Sequence, residues 1–125
     1  ITEVAVTLWE VPCARFAPPG SPEVPQAALP MLQHADAFLL RNHGVVTVGR
    51  DIWEAHHRME WVEQGAQVAT VIEQHGGGET LGAERLRELQ AIREELGLGV
   101  DPVDYRPEGC IERILEGWGE SAEDQ

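Results

Sequence analysis

Hydrophobic and polar positions along the chain change period several times, and each change predicts an element. Residues 4–11 (VAVTLWEV) concentrate β-branched and apolar types and predict a strand. Pro12, Pro18, Pro19 and Gly20 mark a connecting segment. Ser21-Pro22-Glu23 then offers an N-cap, a proline at the first helical position and an acid in the first turn, so a helix is expected to about Gln33, kinked or broken at Pro30. Ala37-Phe38-Leu39-Leu40 reads as a short buried strand. Val45-Val46-Thr47-Val48 reads as a second strand, and Asn42-His43-Gly44 between them predicts a hairpin.

Beyond Gly49 the period becomes helical. Asp51 with Glu54 three residues on is an aspartate variant of the capping box. Ile52, Ala55, Met59, Val62, Ala66 and Ala69 recur at steps of three and four and predict one buried stripe, ending at Gly76-Gly77-Gly78. A second amphipathic helix is expected over about 83–96, with Leu86, Leu89 and Leu96 on one face. From Asp101 onward the chain is rich in Pro, Gly and Glu. The division expected is a domain portion over 1–100 and an acidic tail over 101–125.

Charge narrows the function classes. The 125 residues carry 22 acids against 9 basic residues, a net −13, so nucleic acids and anionic membranes are not expected as partners. No apolar run approaches the roughly 18–20 residues that cross a bilayer, and no signal-peptide pattern is seen. All nine basic residues are Arg. Without a Lys, the chain cannot itself supply the amine for Schiff-base carbonyl chemistry, so any aldol-type reaction here calls for a metal. Cys13 and Cys110 stand far apart and read as free thiols of a reducing cytoplasm.

Candidate chemistry centres on the histidines. His43 sits in the hairpin connection, where a short hydrogen-bonded turn would hold a metal ligand rigidly and Gly44 keeps a Cβ away from the ion. By local pattern alone the same three residues also read as an ordinary turn. His56 and Glu60 share a helix face with His57 adjacent, but HExxH order is lacking and packing plus a solvated face accounts for them. His34 and His75 sit where helix C-termini favour cations. Glu10, Glu23, Glu54, Glu60 and Glu63 read as surface or cap residues. The triple glycine follows a helix rather than preceding one, which makes it a poor phosphate cradle.

Residues 37–49, AFLLRNHGVVTVG, closely resemble the LLxNHGxxxxG segment of the class II aldolase/adducin family. Arg50-Asp51-Ile52-Trp53-Glu54-Ala55, with Arg58, Glu60 and Glu63, is similar to the family's next helix. Val11-Pro12 through Pro22-Glu23 resembles its P-x-x-x-Y-x-x-x-G-T-x-E stretch, with Phe16 where Tyr is common. Residues 81–97 resemble its final helix. The resemblance implies an α/β fold, a three-layer α/β/α domain with a central, mainly antiparallel sheet, of which this chain is the C-terminal part and lacks the N-terminal half. It implies His43 as one of three zinc ligands. No His-x-His occurs in the chain, so the other two ligands and an acid/base Glu are expected upstream of Ile1. Leu96 occupies the position of a tyrosine some relatives use, and Tyr105 is the candidate to replace it. The activity implied is Zn²⁺-dependent retro-aldol cleavage of a short sugar phosphate, L-fuculose-1-phosphate-like, by a cytoplasmic homotetramer. Pentulose-phosphate epimerisation, methylthioribulose-phosphate dehydration and a non-catalytic, adducin-like interaction module remain the alternatives.

Overall fold

A computed structural model describes residues 1–98. The elements run α1 (Thr2–Thr7), β1 (Cys13–Ala14), α2 (Glu23–Leu32), β2 (Ala37–Leu40), β3 (Gly44–Thr47), α3 (Ile52–Gln74) and α4 (Ala83–Glu95). The expected hairpin is present, with Ala37 opposite Thr47 and Leu40 opposite Gly44. The sheet has three strands in the order β1-β2-β3. It is mixed, because β1 joins β2 in parallel through Cys13↔Leu39 and Ala14↔Leu40.

The first half of the strand expected over 4–11 is instead helical, and the rest is turn and loop. Its β-branched content favours a strand, but tertiary packing overrides that weak preference. Val4 and Leu8 fall on one helical face; Leu8 is 3% exposed. Val4 lies against α3 at Gly65, where an added Cβ would come within 3.0 Å of its Cγ2. The carbonyls of Val6 and Thr7 at the end of α1 both accept from the Arg93 guanidinium of α4, at 2.8 Å each. That arginine satisfies acceptors which a helix of this length leaves open. Burial lowers the Arg93 pKa, with Arg58 acting in the same direction and Asp36 opposing.

Two details of α2 depart from expectation. Pro22, not Ser21, occupies the N-cap, and Pro30 lies inside the helix without ending it. Pro30 is exposed and stands in the last turn, so the backbone bond it removes falls where water can replace it. Ala14, Ala17 and Ala27 form a small buried cluster under Val24, Met31 and Leu40, which seats α2 against β1 and β2. Phe38 is fully buried.

α3 begins and ends where the pattern places it. The Asp51 carboxylate accepts from the Glu54 N–H at 2.9 Å, and Gly76 and Gly77 follow with φ of 91° and 93°. Its apolar stripe is only partly buried, however. Ala55, Met59 and Val62 are half-buried, whereas Ile52, Ala66 and Ala69 are exposed. The helix is 23 residues long and meets a four-residue strand, so the stripe outruns the surface that receives it. On α4, Leu89 is half-buried, while Leu86 and Leu96 are exposed. The expected tail over 101–125 lies outside the described residues.

Candidate functional site

The hairpin has two unlike ends. At the tip, β2 and β3 are joined by three residues, Arg41, Asn42 and His43, all exposed. The His43 N–H donates to the Leu40 carbonyl at 3.0 Å and closes the turn. Asn42 carries the left-handed backbone, φ 56°, a conformation that Asn tolerates better than most residues. The positive φ of the turn thus falls on Asn42, and Gly44 has none. A Cβ on Gly44 would meet nothing within 4 Å, so the space beside His43 is open on that side.

The base of the hairpin is closed and charged. Arg58 of α3 reaches back to it, placing Nη2 3.0 Å from Asp36 Oδ2 and 3.4 Å from Glu54 Oε1. Its Nη1 donates to the Val48 carbonyl. The Val48 N–H donates to the Asp36 carbonyl at 2.9 Å, and Thr47 Oγ1 donates to the Ala55 carbonyl at 2.8 Å. Asp36 is 5% exposed. Glu54 also accepts from the Arg50 N–H and guanidinium. Burial alone would raise the Glu54 pKa, but the Arg50 hydrogen bonds and the Arg58 and Arg50 charges outweigh it and hold the carboxyl below its usual range. Gly49 lets the chain enter this corner, since a Cβ there would sit 2.6 Å from the Ala55 nitrogen.

Among the other expected residues, His56 is exposed and lies 3.9 Å from Glu60 Oε1. With Thr47, Ile52, Trp53, Ala55 and Met59 it lines a groove of about 440 Å³. His34, His57 and His75 are exposed, and Tyr105 lies outside the described residues. Among the described residues no three His, Cys, Asp or Glu side chains converge as a metal site, so His43 is a single imidazole donor here. Leu96, on the position some relatives give to tyrosine, is exposed as the C-cap of α4.

The pattern missed the Arg58 clamp as a structure. Its signals were present: Glu54 and Arg58 at i,i+4 on one helix face, and an acid, Asp36, directly before a buried strand. What no period reveals is that α3 folds back to bring Arg58 to Asp36.

Comparison with known proteins agrees with this frame. The model of the Class II Aldolase and Adducin N-terminal domain matches residues 1–70, which run from α1 through most of α3. The chain belongs to this family. It is similar to an L-fuculose phosphate aldolase of Methanococcus maripaludis strain C7, 33% identical over 70 residues covering 56% of this chain and 38% of that protein. It is also similar to a 3-oxo-tetronate 4-phosphate decarboxylase of Escherichia coli O6:H1, 30% identical over 69 residues covering 55% of this chain and 32% of that protein. The chain thus spans about a third of the length of these curated relatives. No solved structure matches it. No described helix is long and apolar enough to cross a membrane.

Proposed function

We propose that the protein carrying this chain is a zinc-dependent class II aldolase that cleaves a short ketose phosphate, and that His43 is one of its metal ligands. The observation that carries the reading is the tip of the hairpin. An exposed imidazole stands on a closed three-residue turn, the strands behind it are locked to α3, and the space over Gly44 is open. A ligand held this way loses little entropy on binding. Zn²⁺ with three imidazoles and an open position would polarise a carbonyl and stabilise the enediolate formed when the adjacent carbon–carbon bond breaks.

His43 is the donor this chain supplies. The remaining donors and the acid/base carboxylate belong to residues outside it, with residues 1–100 forming the C-terminal portion of a three-layer domain and 101–125 an acidic tail. The protein is read as a cytoplasmic homotetramer. Its lack of lysine removes the Schiff-base route from this portion of the protein.

Decarboxylation of a 3-oxo sugar acid phosphate is the second reading, favoured by the Escherichia coli relative. Both reactions break a carbon–carbon bond and leave the electron pair on an enolate, so one metal-bound carbonyl serves either.

The test uses full-length protein. His43→Ala is expected to lose stoichiometric zinc and carbon–carbon cleavage while keeping its fold by circular dichroism. His56→Ala and His75→Ala are expected to keep both. Stoichiometric zinc in His43→Ala, by elemental analysis, rejects the ligand assignment. Wild type that takes up no zinc from excess metal would point instead to a non-catalytic, adducin-like module.

A further inference from the structure

One guanidinium grips both strands of the β2–β3 hairpin at its base. Asp36 immediately precedes β2 and Val48 immediately follows β3, and the Val48 N–H joins them by donating to the Asp36 carbonyl at 2.9 Å. Arg58 reaches each side with a different nitrogen. Nη2 lies 3.0 Å from the Asp36 carboxylate, and Nη1 donates to the Val48 carbonyl. Glu54 of the same helix stands 3.4 Å from Nη2. The Arg58 and Asp36 side chains are 14% and 5% exposed, so salt screens their contact little.

The two strands need this grip unequally. β2 is paired on its far side with β1 through Leu39 and Leu40, whereas β3 pairs only with β2 among the described residues. The hydrogen bonds that tie β3 to α3 run from Thr47 and Val48, both at the base. His43 enters β3 directly, because Gly44 is the first residue of that strand. Pairing is continuous from Ala37↔Thr47 to Leu40↔Gly44, so the hairpin tilts as one piece about its base. Over a span of roughly 13 Å, a tilt of about 5° moves the tip by about 1 Å. Donors of a functional site must be held within about 0.5 Å, and a misplacement of about 1 Å can cost about 100-fold in rate.

We propose that Arg58 is a positioning residue for His43. By fixing the base of the hairpin to α3 it sets where the imidazole stands, and through it how tightly and in what geometry the metal is held. The part played by the metal rests on the aldolase reading; control of the tip by the base rests on the hydrogen bonds and the strand register. Arg58 acts through His43 and takes no part in the bond that breaks.

The test uses full-length wild type, Arg58→Lys, and Arg58→Met combined with Asp36→Leu. Lysine keeps a charge beside Asp36, but its single nitrogen cannot reproduce a fork that reaches Asp36 and Val48 from separate nitrogens. The apolar pair recovers stability without restoring the bond to Val48. Arg85→Lys, in an exposed pair with Glu88, is the control. In metal-free protein, hydrogen exchange is followed at the tip, over residues 40–46, and along α3 and α4. Zinc affinity is measured by chelator competition, and the visible spectrum is recorded with cobalt in place of zinc. Turnover of a ketose phosphate is measured at saturating zinc. Both Arg58 variants are expected to fold and to show faster exchange at the tip than wild type, with little change in the helices. They are expected to bind zinc about 10-fold more weakly, to shift the cobalt spectrum, and to lose about 10-fold in kcat with KM within about twofold of wild type. The control matches wild type throughout. Recovery of zinc affinity, cobalt spectrum and kcat together with stability in the apolar pair overturns the proposal and leaves Arg58 a purely structural role. Exchange that rises equally at the tip and in the helices does the same. Wild type that takes up neither metal and cleaves nothing, but whose tip exchange still depends on Arg58, rejects the aldolase reading and leaves the positioning of the tip standing.

Discussion

The base and the tip of the β2–β3 hairpin differ by only a few residues in sequence, yet they obey opposite rules. At the base, Asp36 and Arg58 are withdrawn from water and tied to Val48 and Glu54. At the tip, Arg41, Asn42 and His43 are exposed and fixed only through backbone. Four residues of strand, roughly 13 Å at about 3.3 Å each, separate them. The difference teaches where stability and availability are kept. The closed end supplies rigidity, and the open end is left with side chains free to meet a ligand.

If that division holds, breaking the base should be the costliest change. Arg58→Met takes from the buried Asp36 the guanidinium 3.0 Å away and is expected to lose about 3–5 kcal/mol in urea denaturation. Adding Asp36→Leu should recover much of that loss, because an apolar pair carries no buried charge. A loss below 1 kcal/mol in Arg58→Met would show that the clamp contributes little.

Overfilling the corner comes next. Gly49→Ala places a Cβ against the Ala55 nitrogen and Glu54 Cβ, 2.6 and 2.9 Å away. Both are fixed parts of the helix start, so a cost of about 1–3 kcal/mol is expected. Unchanged stability would mean that the corner relaxes freely.

Acid should act on the base through Glu54. Its folded pKa is depressed below the usual carboxylate range, so it adds stability that is fully present above that range. The contribution is lost as pH falls through that range toward the folded value. Glu54→Gln should flatten the stability-versus-pH curve in that acid window and leave its slope near neutrality unchanged. Identical acid slopes in both proteins would remove Glu54 from the clamp.

The smallest effects belong to the tip. His43→Ala and Gly44→Ala are each expected to shift stability by less than about 0.5 kcal/mol without metal. Gly44 has no positive φ and an open surrounding, so any loss of zinc or substrate in Gly44→Ala reports on the ligand rather than on the fold. A destabilised Gly44→Ala would erase the contrast between the two ends.

The sequence was most legible where structure is local. The hairpin, the Asp51 cap and the glycine stop of α3 are written in neighbouring residues and were placed within a residue or two. It was least legible where distant parts decide. VAVTL carries strand propensity, yet α1 is a helix because it packs on Gly65 of α3 and is closed by Arg93 of α4. The stripe through Ala66 and Ala69 has the right period but meets no cover among the described residues. The seat of His43 on the hairpin connection was legible in the same way, from neighbouring residues.

The glycines after α3 bear on how the molecule can be taken apart. Gly76, Gly77 and Gly78 are exposed, and the first two hold positive φ with no atom near a would-be Cβ. Exposed stretches of this kind are where proteases cut and where insertions are tolerated. α4 nevertheless stays anchored to α1 through Arg93. A chain nicked between the two helices should therefore migrate as one species in native gel filtration and as two in denaturant. The same three residues offer a point at which the protein could be divided into separately expressed pieces that reassemble.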